Sequence, residues 1–140
     1  MKRLSFEISQ TIEVSPMEAW NIIGAVSGVE QWLGPITSCS VEGNKRTCGT
    51  EEGTFEEEIL NVDHDTKTLD YLIPEQQLMP VENIQGQMQV TEASKGQATI
   101  TWAWEYDVAE ENEEAAKGAL QMVGGMGIAG IESLIKKELA

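Results

Sequence analysis

Between Leu4 and Val14 apolar side chains occupy the even positions, Leu4, Phe6, Ile8, Ile12 and Val14, with Gln10 the exception. Ser5, Glu7, Ser9, Thr11 and Glu13 fall between them. A period of two over this length predicts a strand with one buried face. The pattern breaks at Ser15-Pro16-Met17-Glu18, which reads as a helix start. Ser15 can cap, Pro16 suits the first helical position, and Glu18 can complete a capping box. Ala19, Trp20, Ile22 and Ile23 give this short helix an apolar side, and Gly24 ends it. A second short helix is expected from Ser27 to Leu33, stopped by Gly34-Pro35.

Beyond Pro35 the chain reads as a run of hairpins. Ile36 to Glu42 and Lys45 to Thr50 flank Gly43-Asn44, a favourable two-residue turn. Glu51-Glu52-Gly53 turns again, and Thr54 to Val62 runs to the polar break Asp63-His64-Asp65-Thr66. Lys67 to Ile73, Glu82 to Thr91 and Gln97 to Asp107 supply three more strands, separated by Pro74 to Pro80 and by Ala93-Ser94-Lys95-Gly96. Seven antiparallel strands in meander order need a cover, and the last segment provides one. Glu110 to Glu114 suits a helix N-terminus, and Lys136 and Lys137 suit its C-terminus. Leu120, Val123, Ile128, Ile131, Leu134 and Ile135 keep helical spacing between them. Gly118, Gly124, Gly125, Gly127 and Gly130 interrupt it, each costing about 1 kcal/mol of propensity relative to alanine. Such a helix must be held by packing. The expected fold is α+β: a curved seven-stranded antiparallel sheet wrapped around a long C-terminal helix, with two short helices after the first strand.

Turn lengths fix the register. With Gly43-Asn44 as a two-residue turn, Val41 faces Arg46 and Cys39 faces Cys48; with Glu51-Glu52 as the next, Cys48 faces Phe55 and Arg46 faces Glu57. One face therefore collects Cys39, Val41, Arg46, Cys48, Phe55, Glu57 and Ile59. The other carries Ser38, Ser40, Glu42, Lys45, Thr47, Glu56 and Glu58. The first is the inner face, and it holds two charges that are costly to bury unpaired. They form either a structural salt bridge or a pair that orients a ligand. Cys39 and Cys48 are expected at a non-hydrogen-bonded position, close enough to bond.

The length of 140 residues suits one domain, residues 1–140. The 24 acidic against 9 basic side chains disfavour nucleic-acid and anionic-membrane partners. Lys2 and Arg3 are followed by Glu7 and Gln10, which does not read as a signal peptide. The uncharged stretch Gly118 to Ile131 is shorter than a membrane span. A cytoplasmic location is expected, and with it free thiols. One histidine and two cysteines do not make a usual zinc set, no phosphate-binding glycine loop is present, and no cofactor is expected. His64, between two aspartates, reads as a solvated loop residue.

In order and spacing, several segments resemble a known superfamily. They are Val14 to Trp20, Val29 to Ile36, Gly43 to Thr47, Glu57 to Asp63, Leu69 to Ile73, Pro80 to Asn83, Thr101-Trp102 and Gly130 to Lys136. The superfamily is SRPBCC, or START-like (Bet v 1-like), with its helix-grip fold. It includes the birch pollen allergen, plant abscisic-acid receptors and bacterial polyketide cyclases. The chain looks closest to small bacterial members of polyketide cyclase/dehydrase type. Its glycine- and methionine-rich last helix, and Ile84 where an aromatic often follows the asparagine, depart from the usual pattern.

The resemblance implies a cavity between the concave sheet face and the last helix, of about 300–1,000 Å³. Its apolar lining is expected from Phe6, Ile8, Ile12, Leu69, Tyr71, Ile73, Met88, Val90, Ile100, Trp102 and Trp104. Trp32, Phe55, Ile59, Val123 and Gly127 complete the set, beside Arg46 and Glu57, while Trp20 reads as plain core. Two functions stay open. One is a carrier or sensor of a small, mostly hydrophobic molecule. The other is a cyclase, aromatase or dehydratase working through Arg46, Glu57 and Tyr71. A structural subunit with a filled cavity is a third reading. Met122, Met126 and Ala129 lie on an uncharged stretch of helix and suggest a homodimer.

Overall fold

The computed structural model describes residues 1–139. Seven strands form one antiparallel sheet: β1 Lys2–Ile12, β2 Ser38–Glu42, β3 Lys45–Thr50, β4 Gly53–Asp63, β5 Thr68–Ile73, β6 Glu82–Ser94 and β7 Gln97–Val108. Their order is β1-β7-β6-β5-β4-β3-β2, so each hairpin partner lies beside its neighbour in sequence and only β1 returns across the molecule to β7. In that pair Lys2 faces Val108 and Ile12 faces Ala98. Helix α1 (Pro16–Ile23) packs on β6, β7 and the long helix α2 (Glu113–Leu139), which crosses the sheet. This is the helix-grip α+β arrangement.

Local chemistry explains the element ends. The Ser15 hydroxyl accepts from the Glu18 amide at 3.1 Å, and the Ser15 amide donates to Glu18 Oε1 at 3.0 Å. This reciprocal capping box satisfies two orphan donors of α1. It also holds the Glu18 carboxyl below its ordinary range, because its backbone and side-chain bonds with Ser15 favour the charged form. The expected second helix is reduced to one 3-10 turn, Val29–Gln31. Gly28, at φ +81°, and Gly34-Pro35 leave too little chain between them for a helical turn to propagate.

Both tight turns set the expected register. Val41 faces Arg46, Cys39 faces Cys48, Cys48 faces Phe55 and Arg46 faces Glu57. Two expectations need correction. Val41 lies on edge strand β2 near its turn and stays 40% exposed instead of joining the core. Cys39 and Cys48 are joined in a disulfide, with Cα atoms 4.2 Å apart, and not left as free thiols. The close spacing of a non-hydrogen-bonded cross-strand pair brings the sulfurs together.

Three glycines one turn apart explain how so poor a helix former is held. At Gly124 an added Cβ would collide with Trp104 and Ile8. At Gly127 it would lie 2.8 Å from Trp102 and 3.1 Å from Trp32, and at Gly130 it would overlap the Trp32 carbonyl. The spacing of three residues keeps all three on one side of the helix, Gly124 and Gly127 against the sheet and Gly130 against the turn that carries Trp32. Counted over Glu110–Glu138 the helix is long and apolar enough to cross a membrane, which the uncharged stretch alone did not suggest. Here its Ala116, Leu120, Ile128, Ile131 and Ile135 side chains are buried in the common core. Met122 is 65% exposed, and Met126 and Ala129 are exposed too.

Candidate functional site

A cavity of about 670 Å³ lies between the concave sheet face, the first half of α2 and the segment from Val29 to Thr37. Its walls are mostly apolar because the inward register of β5, β6 and β7 delivers Tyr71, Ile73, Ile84, Met88, Trp102 and Trp104. Trp102 and Trp104 stack at 5.1 Å between ring centroids, and Trp32 meets Trp102 edge-on at 6.0 Å. Glu51, Glu52, Gly34, Pro35, Leu78 and Met122 line the cavity and are solvent-exposed, so they form its rim.

One charged pair stands in this lining. Arg46 and Glu57, each 5% exposed, are joined by a two-pronged fork: Nε donates to Oε1 at 2.6 Å and Nη2 to Oε2 at 2.9 Å. Arg46 Nη1 donates to the Val26 carbonyl at 2.7 Å, tying the loop after α1 to the sheet. Val26 itself holds φ +67°, a left-handed conformation uncommon for a branched residue. Cys48 Sγ lies 3.8 Å from Glu57 Oε1; as a disulfide sulfur it has no hydrogen to donate.

Arg46 also lies 5.8 Å from the centre of the Tyr71 ring. The Tyr71 hydroxyl accepts a 2.8 Å bond from Trp102 Nε1. Burial, reinforced by the Glu57 charge, pushes its pKa far above the ordinary tyrosine value. Tyr71 therefore keeps its proton and is suited to donate a hydrogen bond, not to act as a base. Glu57 is equally poorly placed for proton transfer, since both oxygens are engaged by the guanidinium. Trp32 Nε1 is buried and has no hydrogen-bond partner among the described residues.

Of the residues expected at the site, Trp32, Arg46, Phe55, Glu57, Tyr71, Ile73, Met88, Trp102, Trp104 and Val123 line this cavity. Ile59, Leu69, Val90 and Gly127 do not. Ile59 precedes a β-bulge and lines a separate shallow pocket with Val26 and Val41. Leu69 and Val90 do face inward, but they are packed solidly in the core, Val90 opposite Ile100. Ile12 belongs to the same packed core. Gly127 sits where α2 touches Trp32 and Trp102 directly, leaving no space. Phe6 stacks on Trp104 and Ile8 lies against Gly124, so neither lines the cavity. His64, expected to be free in solvent, accepts a 3.0 Å bond from Trp20 Nε1 although it is exposed.

Val29, Leu33, Ile36, Met79, Ile84 and Leu120 are lining residues that the sequence reading missed. Ile84 was findable, because it continues the inward alternation Ile84, Gly86, Met88. Leu120 lies one helical turn before Val123. The loop residues carry no periodic signal.

A family model described as polyketide cyclase / dehydrase and lipid transport matches residues 3–137. None of the curated proteins matches the sequence. Among solved structures, a Bacillus thuringiensis protein superposes with TM-score 0.86 at 20% identity, covering 94% of this chain and 98% of that one. The protein XoxI from Bacillus cereus gives TM-score 0.86 at 21% identity, with coverages of 97% and 98%. A Thermobifida fusca protein solved in solution gives 0.81 at 15%, covering 95% and 93%. At these identities the likeness is one of fold.

Proposed function

The chain belongs to the polyketide cyclase / dehydrase and lipid transport family, and from that premise we propose that it acts, as one ligand-binding domain, as a carrier or sensor of a small, mostly hydrophobic molecule. The observation that carries this reading is the apolar cavity of about 670 Å³, whose one internal ion pair neutralises itself. Burying an apolar ligand there gains roughly 25 cal/mol per Å² of apolar area removed from water.

The enzymatic alternative, a cyclase, aromatase or dehydratase, would draw on Arg46, Glu57 and Tyr71. It is less favoured because a general base needs a carboxylate free to accept a proton, and Glu57 has both oxygens on Arg46. The test is native mass spectrometry of gently purified protein, repeated with Val123→Trp, which projects an indole into the cavity. A co-purified small molecule retained by the parent and lost from the variant is the expected result. A parent chain that carries nothing and binds no apolar probe in solution overturns the carrier reading.

A further inference from the structure

Alternation along β6 turns Ile84, Gly86, Met88 and Val90 inward, and Gly86 is the one of the four without a side chain. It stands in a cross-strand row that runs Ile59, Tyr71, Gly86, Trp104, Phe6. A glycine inside a strand weakens it, and often marks a place where another group approaches the backbone closely. We propose that Gly86 is a positioning residue that sets the depth of the cavity: the room it leaves lets Tyr71 lie down over β6, and so fixes the longest ligand that the cavity accepts. This deepens the carrier reading and rests on it.

The Tyr71 ring fills the gap in the row. A Cβ at Gly86 would overlap Tyr71 Cζ and Oη and lie 2.6 Å from Cε1. The ring therefore rests on the Gly86 backbone, and its hydroxyl reaches across β6 to accept from Trp102 Nε1 on β7 at 2.8 Å. Tyr71 lines the cavity, as do Ile84 and Met88 on either side of the gap, while Gly86 itself is buried and does not.

A methyl group at position 86 lifts the ring, and the ring has one way to go. The sheet lies beneath it, Trp102 stands at its hydroxyl end, and the Arg46 guanidinium is 5.8 Å from its centre. The open side is the cavity. The raised phenol then occupies space that the far end of a long ligand needs, and a short ligand does not meet it.

The test uses the 1-alkanols from hexanol to hexadecanol, titrated into the full chain by displacement of the uncharged fluorophore N-phenyl-1-naphthylamine. In the parent each added CH2 tightens binding by about fourfold, as its burial allows, up to a limiting length. Gly86→Ala is expected to reach its limit at a shorter chain. At the longest chain the parent accepts, the variant then binds about tenfold or more weaker, as the loss of two buried CH2 groups implies, with 1-hexanol unchanged. Tyr71→Ala removes the ring and lengthens the limit, and the double mutant keeps that longer limit because no ring remains to lift. The double mutant has room for the methyl group, so it decides the matter even where Gly86→Ala alone does not fold. A Gly86→Ala chain that weakens every alkanol by one factor with its limit in place overturns the proposal and leaves the carrier reading standing. So does a double mutant that fails to fold or keeps a limit shorter than the parent's. Failure of every alkanol to bind the parent overturns both.

Discussion

Replacing Arg46 or Glu57 singly by methionine tests whether the fork holds the inner face together. Each residue is 5% exposed, and each loses two charge-assisted bonds, of 2.6 and 2.9 Å, when its partner goes. A stranded buried charge costs about 3–5 kcal/mol, whereas exchanging the whole pair for apolar side chains of similar volume is often close to neutral. Arg46→Met also frees the Val26 carbonyl, adding about 1 kcal/mol. The expected series is therefore two singles down by about 3–5 kcal/mol and a double mutant down by about 1 kcal/mol. A domain of this size has a net stability of about 5–15 kcal/mol, so the singles should remain foldable but fragile. Urea unfolding followed by tryptophan emission gives the coupling energy directly. The two singles should also diverge with pH. A stranded carboxylate can shed its charge by taking up a proton, so the deficit of Arg46→Met should shrink as pH is lowered. A guanidinium has no such route, so that of Glu57→Met should not. Singles that unfold with the parent, or a double mutant no better than the worse single, would refute the claim that the pair is buried and mutually compensating.

Three further outcomes follow from other parts of the fold. Tyr71 has a pKa raised by burial, so the folded state keeps the proton that the unfolded chain gives up near pH 10. Its stabilising contribution is present below that pH and is lost as pH rises above it, at about 1.4 kcal/mol per unit; Tyr71→Phe should flatten the decline in urea unfolding between pH 9 and 11.5. The disulfide closes a loop with a sequence separation of 9, which entropy values at about 2–3 kcal/mol; identical urea midpoints with and without a phosphine reductant, once reduction is verified, would contradict this. Two glycines of α2 should respond with opposite signs. Gly118→Ala meets open space and should stabilise by up to about 1 kcal/mol. Gly130→Ala drives a methyl group into the Trp32 carbonyl and should cost about 1–3 kcal/mol in the same assay.

The charged pair was legible in the sequence because a strand has a side-chain period of two and both turns have a fixed length. Gly43-Asn44 and Glu51-Glu52 then force Arg46 opposite Glu57, and Cys39 opposite Cys48. Alternation also says which face a residue occupies, and Tyr71, Met88, Trp102 and Trp104 fall on the inner one as expected. It does not say how far along that face a residue sits. Leu69 and Val90 obey the same alternation as Tyr71 and Met88, yet they lie in packed core and not beside open space. The bond state of the cysteines was illegible for another reason: strand pairing sets the distance, while redox conditions set the outcome. The glycines of α2 read as a defect in propensity. Their role as a contact surface for Trp32, Trp102 and Trp104 appears only once the sheet is beside them.

The return of β1 to β7 has a bearing on synthesis. Ile12 must wait for Ala98, so the two halves of this ladder are separated by 86 residues of translation. At about 5–20 residues per second the first strand spends about 4–17 s without its partner. Lys2, Arg3 and Glu7 place charges along it, which discourages edge-to-edge association with other nascent chains during that interval. Its apolar face has no such protection. That face is covered only when the glycine-bearing helix follows, which makes the least helix-prone part of the chain the one that ends the period of exposure.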